Sequence, residues 1–505
     1  MKKFRFEIII FIVDAICMIL ELVASRLLSP YFGNSNIVWT SVIGIILLSS
    51  SIGNYIGGKI ADLNNKELSL KKILISTTLY VILIPFLNSF VIKTIASNIN
   101  NVKIGAIFST VMLFFFPSLC MGIVTPIIIR LKINDLENAG KSTGIINAIG
   151  TLGGIIGTFL GGFVLLPMIG SNNTLFILTI LLAISIELVN FRLKDKTTIG
   201  VIIIIAFSLL AMIYFNNQNN KIGKYIENME TEESVSYDTQ YGRVLISNRI
   251  YKNENVRILN IDGGFESATF FDDNKKYELV FDYTKYYDLM FQSKNNIDNV
   301  LMIGGAGYSY PKYYISHFLN KKMDVVEIDG KITEIAKKYF YLDQLIDDYK
   351  INENHRLNLI TEDGRTYLNK CNIKYDAILN DAFSGENPAK TLTTYENILN
   401  IKKSLNENGL YLTNIISSLE GENSKFIRAE INTIKQVFKN IYVIPCQSKD
   451  VNEIQNIMVI ATNDNIDYDN TYDLKIENDE IIITDDYCPV DNLIPKFENI
   501  HFKQK

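Results

Sequence analysis

Four short stretches in the second half of the chain carry residues suited to holding a nucleoside and a reacting group. The first is Gly304-Gly305-Ala306-Gly307, directly after the apolar run Val300-Leu301-Met302-Ile303. Glycines at such a place let the backbone turn sharply and come close to a ligand. The pattern is not G-x-G-x-x-G, because Ala306 and Ser309 stand where glycines would be needed. The second is Glu327, which closes Asp324-Val325-Val326 and lies 23 residues after Gly304. An acid there can accept both hydroxyls of a ribose. The third is Glu362-Asp363-Gly364, after Leu357-Asn358-Leu359-Ile360. Its carboxylate can take the exocyclic amine of adenine, and its small residue admits the ring. The fourth is Asn380-Asp381, at the end of Tyr375-Asp376-Ala377-Ile378-Leu379. Its acid falls where a reacting group would lie.

The elements that must position these residues follow from the same stretch. After 298, apolar strands alternate with helical segments, and Leu410-Tyr411-Leu412-Thr413 adds a further strand. Such alternation predicts a mostly parallel, doubly wound α/β sheet, Rossmann-like, with ligands beyond the carboxyl ends of the strands. Each of the four stretches sits at such an end. Ahead of it, residues 235–290 show short alternating segments, Gly242-Arg243-Val244-Leu245-Ile246 and Val256-Arg257-Ile258-Leu259-Asn260-Ile261, with Asp262-Gly263-Gly264 as a turn. They predict a small β-rich lead-in subdomain. The large sheet then occupies 291–505, and the polar stretch 216–234 reads as a linker.

The chain has 505 residues, too many for one ordinary domain. Its charge is divided unevenly. Residues 1–220 hold 16 Lys/Arg against 9 Asp/Glu, and the remainder holds 33 against 45. An acidic globular half argues against a nucleic-acid partner. The five cysteines are scattered without a CxxC, and the three histidines lie far apart. No disulfide scaffold or metal centre is expected from them.

Residues 1–215 read as a transmembrane helical domain. Seven apolar runs, at about 6–28, 36–57, 73–92, 104–129, 142–168, 172–191 and 198–215, each approach the roughly 20 residues that span a bilayer. Gly150 and Gly154, and Gly153, Gly157 and Gly161, repeat at four-residue spacing, which lets two helix backbones approach closely. Asp14, Glu21 and Glu187 fall inside runs and stand either for function or for interhelical pairs, with Arg26 as one partner. Thirteen Lys/Arg lie on one set of alternate loops, against Lys93, Lys103, Lys221 and Lys224 on the other. This places the N-terminus in the cytoplasm. The expected location is the cell membrane, multi-pass, with the lipid bilayer as a partner. An odd span count puts the soluble half outside.

The chain resembles the spermidine synthase (polyamine aminopropyltransferase) family, and more closely its membrane-fused members with a transporter-like N-terminal part. Ile303-Gly304-Gly305-Ala306-Gly307-Tyr308-Ser309-Tyr310-Pro311, Val326-Glu327-Ile328-Asp329 and Glu362-Asp363-Gly364-Arg365 carry the likeness. So does Tyr375 through Asn380-Asp381 to Pro388-Ala389, which matches Y-D-x-I-x-x-D-x-x-D-x-x-x-P-A without a gap. Asp282 to Asp288 is similar to the family's D-E-F-x-Y-H-E, with Tyr286 kept and Tyr287 and Asp288 in the His and Glu places. Thr484-Asp485-Asp486-Tyr487-Cys488-Pro489-Val490 resembles a stretch of the membrane-fused group, and Gly58-Lys59-Ile60-Ala61-Asp62 part of a loop signature of major facilitator transporters.

The resemblance implies an aminopropyl transfer from decarboxylated S-adenosylmethionine to an amine, releasing methylthioadenosine, with no metal and no tightly bound cofactor. Glu327 would bind ribose, Asp363 and Gly364 adenine, Gly304 and Gly305 the sulfonium arm, and Asp381 would be the base. Two acids that grip the diamine in the family are replaced here by Gly307 and Ser384, and the family's lead-in Gln corresponds to Glu266. Tyr286, Asp288, Glu266, Ser384 and Glu386 are the candidate acceptor-binding residues. A homodimer through the soluble domain is compatible with the resemblance. Two other readings stay open: an S-adenosylmethionine-dependent methyltransferase on the same sheet, and a non-catalytic membrane transporter or sensor binding a polyamine or nucleoside.

Overall fold

The computed structural model describes residues 4–32, 36–62, 65–99, 101–133, 139–190, 196–227, 234–293, 296–384, 387–476 and 480–495. The chain forms two compact units. Among the described residues, one lies within Met1–Gly223 with Ser236–Val244, and the other within Lys224–Val235 with Leu245–Ile500.

The first unit is helical. Its elements are α1 (Arg5–Phe32), α2 (Asn36–Ala61), α3 (Lys66–Val81), α4 (Ile84–Asn98), α5 (Val102–Thr110), α6 (Phe116–Lys132), α7 (Ala139–Leu160), α8 (Leu166–Val189) and α9 (Lys196–Glu227). The seven apolar runs do not become seven separate long helices. Among the described residues, five helices are long and apolar enough to cross a membrane, and the bent pair α3–α4 makes six if counted as one span. Two features account for the difference. Pro85 at the start of α4 cannot continue the hydrogen-bond ladder of α3, and the pair bends by 59°. The fifth and sixth runs join in one helical stretch, Ala139–Val189, broken at Gly170 (φ 78°, ψ 166°). The expected linker also differs, because residues 216–227 continue α9. Residues 228–233 of that linker lie outside the described residues.

The glycine spacing in α7 does what it suggested. A Cβ on Gly153 would lie 2.2 Å from the Phe11 carbonyl oxygen, and one on Gly157 2.4 Å from that of Ala15. The small residues let α7 lie directly against α1. Arg26 is not the partner of the carboxylates in the apolar runs: it donates to the Gln240 carbonyl at 2.5 Å. Glu187 accepts from the Thr198 hydroxyl at 3.0 Å.

After α9 in sequence comes a four-stranded sheet in the order β1-β2-β3-β4, comprising β1 (Ser234–Asp238), β2 (Arg243–Tyr251), β3 (Glu254–Ile261) and β4 (Gly264–Phe270). The Asp262-Gly263 turn joins β3 to β4, with both residues at positive φ. Leu259 pairs with Ser267, but Asn260 pairs with Phe265, which leaves Glu266 as the extra residue of a bulge. Bulges re-aim side chains. A 3-10 helix, Asp282–Gln292, follows.

The large sheet contains β5 (Asn299–Ile303), β6 (Lys322–Glu327), β7 (Leu357–Thr361), β8 (Tyr375–Asn380), β11 (Leu405–Ser417), β12 (Asn440–Pro445) and β13 (Gln455–Thr462). A short ribbon, β9 (Phe383–Ser384) with β10 (Asn387–Pro388), lies between β8 and β11 in sequence. The order is β12-β13-β11-β8-β5-β6-β7, with β13 antiparallel to both neighbours. This is the Rossmann-like, methyltransferase-type arrangement. Its helices are α10 (Ser309–His317), α11 (Gly330–Tyr339), α12 (Leu342–Asp348), α13 (Ile351–Asn354), α14 (Gly364–Lys370), α15 (Tyr395–Ser404), α16 (Lys425–Lys435) and α17 (Val490–Leu493).

The strands are buried on both faces and alternate between two cores. Leu301 and Ile303 pack in one core, and Val300 and Met302 in the other with Tyr287, Tyr310 and Tyr314. Tyr283, Tyr287 and Met290 form the inner face of the 3-10 helix and belong to that second core. The helix at 282–292 therefore packs with the large sheet, although the sequence boundary at 290 assigns most of it to the lead-in.

Candidate active site

The strand order reverses between β5 and β8, and this is where α/β sheets bind ligands. Backbone hydrogen bonds hold the strand ends level. Gly304 N–H donates to Val326 O at 2.9 Å, Asp381 N–H to Ile303 O at 2.9 Å, and Glu362 N–H to Glu327 O at 3.0 Å. The glycine turn, Glu327, Asp363 and Asp381 therefore share one edge of the sheet.

Gly304 has φ +94°, and a Cβ there would lie 2.4 Å from the Asp381 carbonyl oxygen. Only glycine fits this contact between β5 and β8. Ala306 and Tyr308 are also held at positive φ, 44° and 54°. Glu327 is buried and turned into this loop. Its Oε2 accepts from the N–H groups of Gly305 (2.8 Å) and Ala306 (3.0 Å), and its Oε1 accepts from Asp329 N–H (3.0 Å). Burial raises its pKa above the usual carboxylate range, and the three N–H donors oppose that rise. Ile328, beside it, is exposed and offers an apolar face to a planar base.

Asp363 caps α14, its Oδ1 accepting from Thr366 N–H at 2.8 Å. This is ordinary helix capping, and it fixes the carboxyl at the end of β7. Gly364 is buried against β5, where a Cβ would lie 2.5 Å from Ile303 Cγ2. Its smallness is thus accounted for by packing.

Asp381 is held by side chains from distant elements. The Tyr283 hydroxyl donates to its Oδ2 at 3.2 Å, and Asn414 Nδ2 of β11 donates to its Oδ1 at 3.0 Å. Asn456 of β13 in turn orients Asn414 through a 3.1 Å contact. The Tyr287 hydroxyl donates to the Asn380 carbonyl at 3.4 Å and also faces the Asp381 carboxyl. Burial pushes the Asp381 pKa up to about 6, and the donors from Asn414, Tyr283 and Tyr287 hold it from rising further. Such a carboxyl is ionised at neutral pH and still a competent proton acceptor.

The acceptor side differs from expectation. Tyr286 is not among the hydrogen-bond partners of Asp381. Tyr283 and Tyr287 are, both being buried on the side of the 3-10 helix that meets the large sheet. Tyr283 stands at the Glu position of D-E-F-x-Y-H-E. Asp288 is committed elsewhere, accepting from the hydroxyls of Tyr310 (2.8 Å) and Tyr313 (3.1 Å). It therefore does not compensate for the missing acids. Glu266, projected by the bulge, lies within electrostatic range of Tyr283. Ser384 pairs with Asn387 in the short ribbon. Glu386 lies outside the described residues.

Gly307 shows why no acid stands there. Its N–H donates to Ser267 Oγ at 2.9 Å, and a Cβ would lie 2.6 Å from Ser267 Cβ and 3.2 Å from Phe340 Cδ1. Behind it, buried Lys312 donates to the Phe340 carbonyl at 2.5 Å, while Arg257 donates to that of Tyr339 at 2.7 Å. Burial, together with the neighbouring Arg257 charge, lowers the Lys312 pKa to about 7.

Comparison with known proteins bears on the same region. The chain is 32% identical to the polyamine aminopropyltransferase of Vibrio vulnificus over 157 residues, covering 30% of this chain and 47% of that one. It is 30% identical to that of Thermoplasma volcanium over 151 residues, covering 30% and 52%. The chain thus spans about half the length of the curated relatives it matches. A probable spermidine synthase from Corynebacterium glutamicum aligns with TM-score 0.40 and 17% identity, over 48% of this chain and 84% of that one. Residues 287–470 match the family model described as the spermine/spermidine synthase domain.

Proposed function

We propose that the α/β unit transfers an aminopropyl group from decarboxylated S-adenosylmethionine to an amine acceptor, with methylthioadenosine as the product. The observation that carries this reading is Asp381. It sits at the switch point between β5 and β8, its pKa is near 6, and it is aimed by Tyr283 and Asn414. An amine attacking a carbon beside a sulfonium must arrive neutral and in line, and a positioned carboxylate takes its proton as the new C–N bond forms. Glu327 and Asp363 hold ribose and adenine, and Glu266 faces the acceptor. The test is methylthioadenosine release from decarboxylated S-adenosylmethionine with a panel of mono-, di- and triamines. Amine-dependent release that disappears in Asp381→Asn supports the reading, and no release with any amine overturns it.

The helical unit is read as a membrane anchor. The Ala139–Val189 stretch has 51 residues, about 76 Å of helix at about 1.5 Å per residue and enough for two crossings, and Gly170 breaks it. Arg5 and Glu7 at the start of α1 pair with Glu67 at the start of α3 and with Lys132 at the end of α6, whereas Phe32 at the end of α1 lies against Gly105 of α5. The bent α3–α4 pair therefore runs from one end of the bundle to the other and counts as a crossing, which keeps the number of crossings odd. With a cytoplasmic N-terminus the α/β unit would then be outside. Cysteine labelling at an engineered site near Lys275 is expected in intact cells, and labelling only after permeabilisation would overturn this arrangement.

A further inference from the structure

Nothing in the proposed transfer uses the stretch Thr484-Asp485-Asp486-Tyr487-Cys488-Pro489-Val490. Its contacts converge on one segment, the 3-10 turn Lys390–Leu392 and the buried Thr393 and Thr394 that follow it. That segment borders the site. It starts just past β10, where Ala389 N–H donates to the carbonyl of Ala382, the neighbour of Asp381, at 3.1 Å. Its Leu392 side chain reaches Gly364, whose missing Cβ would lie 3.6 Å from Leu392 Cδ1. Arg365, next to Gly364, donates from Nη1 to the Thr394 hydroxyl at 2.9 Å and to the Thr391 carbonyl at 3.2 Å. Asp485 closes the ring. Its Oδ2 accepts from Arg365 Nη2 at 2.8 Å, and its Oδ1 accepts from the Thr394 hydroxyl at 2.7 Å. Tyr395 N–H donates to the Ile483 carbonyl at 2.8 Å, and Asp491 accepts from Lys390 Nζ at 2.6 Å. Further upstream the same stretch is tied to α16, where Asn432 Nδ2 donates to the Glu480 carbonyl at 2.8 Å.

Resting on the nucleoside reading of Asp363 and Gly364, we propose that residues 483–491 are a positioning strap for the nucleobase. Asp485, acting through Arg365 and Thr394, and Asp491, acting through Lys390, hold residues 390–394 against Gly364 and so set the affinity for the nucleoside. A half-exposed ion pair such as Arg365–Asp485 holds little by itself. A carboxylate that bridges two groups already bonded to each other forms a closed network, and such a network holds more than its separate pairs. Asp381 is held by other groups, Tyr283 and Asn414. The strap therefore bears on binding and leaves the proton transfer alone.

Calorimetry with methylthioadenosine on the detergent-solubilised full chain reads the strap directly. Asp485→Ala is expected to weaken binding about 5- to 20-fold, the loss of charge-assisted hydrogen bonds to a half-exposed carboxylate. In turnover, KM for decarboxylated S-adenosylmethionine should rise by a similar factor, with kcat changed by less than about twofold. Lys390→Met should weaken binding about 2- to 5-fold, and it also serves if Asp485→Ala does not fold. Asn432→Ala frees the strap only at Glu480 and should leave affinity within about twofold. Over Arg365→Met, Asp485→Ala should add less than about twofold, because the two residues act as one unit. Affinity unchanged in both Asp485→Ala and Lys390→Met overturns the proposal while leaving the nucleoside site standing. An equal loss in Asn432→Ala, a fully additive loss over Arg365→Met, or a fall in kcat without a rise in KM does the same, since each makes the strap a general stabiliser. Failure of the folded wild type to bind methylthioadenosine overturns the nucleoside reading itself, and the strap's role with it.

Discussion

At the nucleoside end of the site, Asp363 bonds to the Thr366 N–H, and Glu327 bonds to the Asp329 N–H and to the Gly305 and Ala306 N–H groups on the neighbouring strand's turn. At the acceptor end, Asp381 is held by Tyr283, 98 residues earlier, and by Asn414, 33 residues later. The first kind of order needs only adjacent parallel strands and the turns that follow them. The second exists only after the 3-10 helix, β8 and β11 have packed together. Substitutions at the nucleoside end should therefore act singly, and those at the acceptor end should couple to one another.

The sharpest way to break this contrast is Asp381→Asn. Turnover is expected to fall by about 10²- to 10⁴-fold, the usual contribution of a positioned proton acceptor. Methylthioadenosine affinity should stay nearly unchanged, because the nucleoside end is built separately. A parallel loss of affinity, read by calorimetry, would show that the two ends are one unit.

The next test concerns Gly307. Replacing it by aspartate drives a Cβ against Ser267, and overpacking of this kind costs about 1–3 kcal/mol. Gly307→Asp alone, or with Ser384→Asp, is expected to lower the melting temperature without improving putrescine use. Adding Ser267→Gly should restore stability. If Gly307→Asp is as stable as the wild type, the acceptor end is looser than its contacts indicate.

A smaller effect is expected from Tyr283→Phe. Its hydroxyl lowers the Asp381 pKa, so its loss raises that pKa above 6. The rise of kcat/KM with pH should then shift upward, with about a tenfold loss at neutral pH from one missing hydrogen bond to a charged group. An unshifted profile would remove Tyr283 from the base's environment.

The mildest expectation lies behind the turn. Lys312 has a folded pKa near 7, below its usual value of 10.5, so above pH 7 the folded chain binds fewer protons than the unfolded one. Stability should increase as pH rises from about 7 toward 10, and Lys312→Met should flatten that slope in denaturant titrations of the full chain.

Much of the sheet was legible from the sequence because strand ends announce themselves. An apolar run of alternating faces followed by Gly-Gly, Glu or Asp marks both a strand and the chemistry at its tip. The residues that end or follow β5, β6, β7 and β8 fall where that reading puts them. The same local rule found the glycine spacing of α7. It failed where a residue's role depends on what packs against it. Tyr286 and Tyr283 both belong to one motif-bearing segment, and only the helical face of that segment decides which reaches Asp381. Asp288 looks free in sequence, but Tyr310 and Tyr313 claim it.

Composition and order of residues by themselves determined the apolar first half, the acidic second half, the alternation that makes a doubly wound sheet, and the acids at its strand ends. These are properties of short windows, set by hydrophobic period and turn chemistry. Tertiary structure alone decided that Glu327 faces the glycine turn, that Ser267 fills the space beside Gly307, and that the bulge at Glu266 aims a carboxylate toward Tyr283. Each of those depends on segments well separated in sequence coming together in the fold, and no short window of the sequence contains both partners.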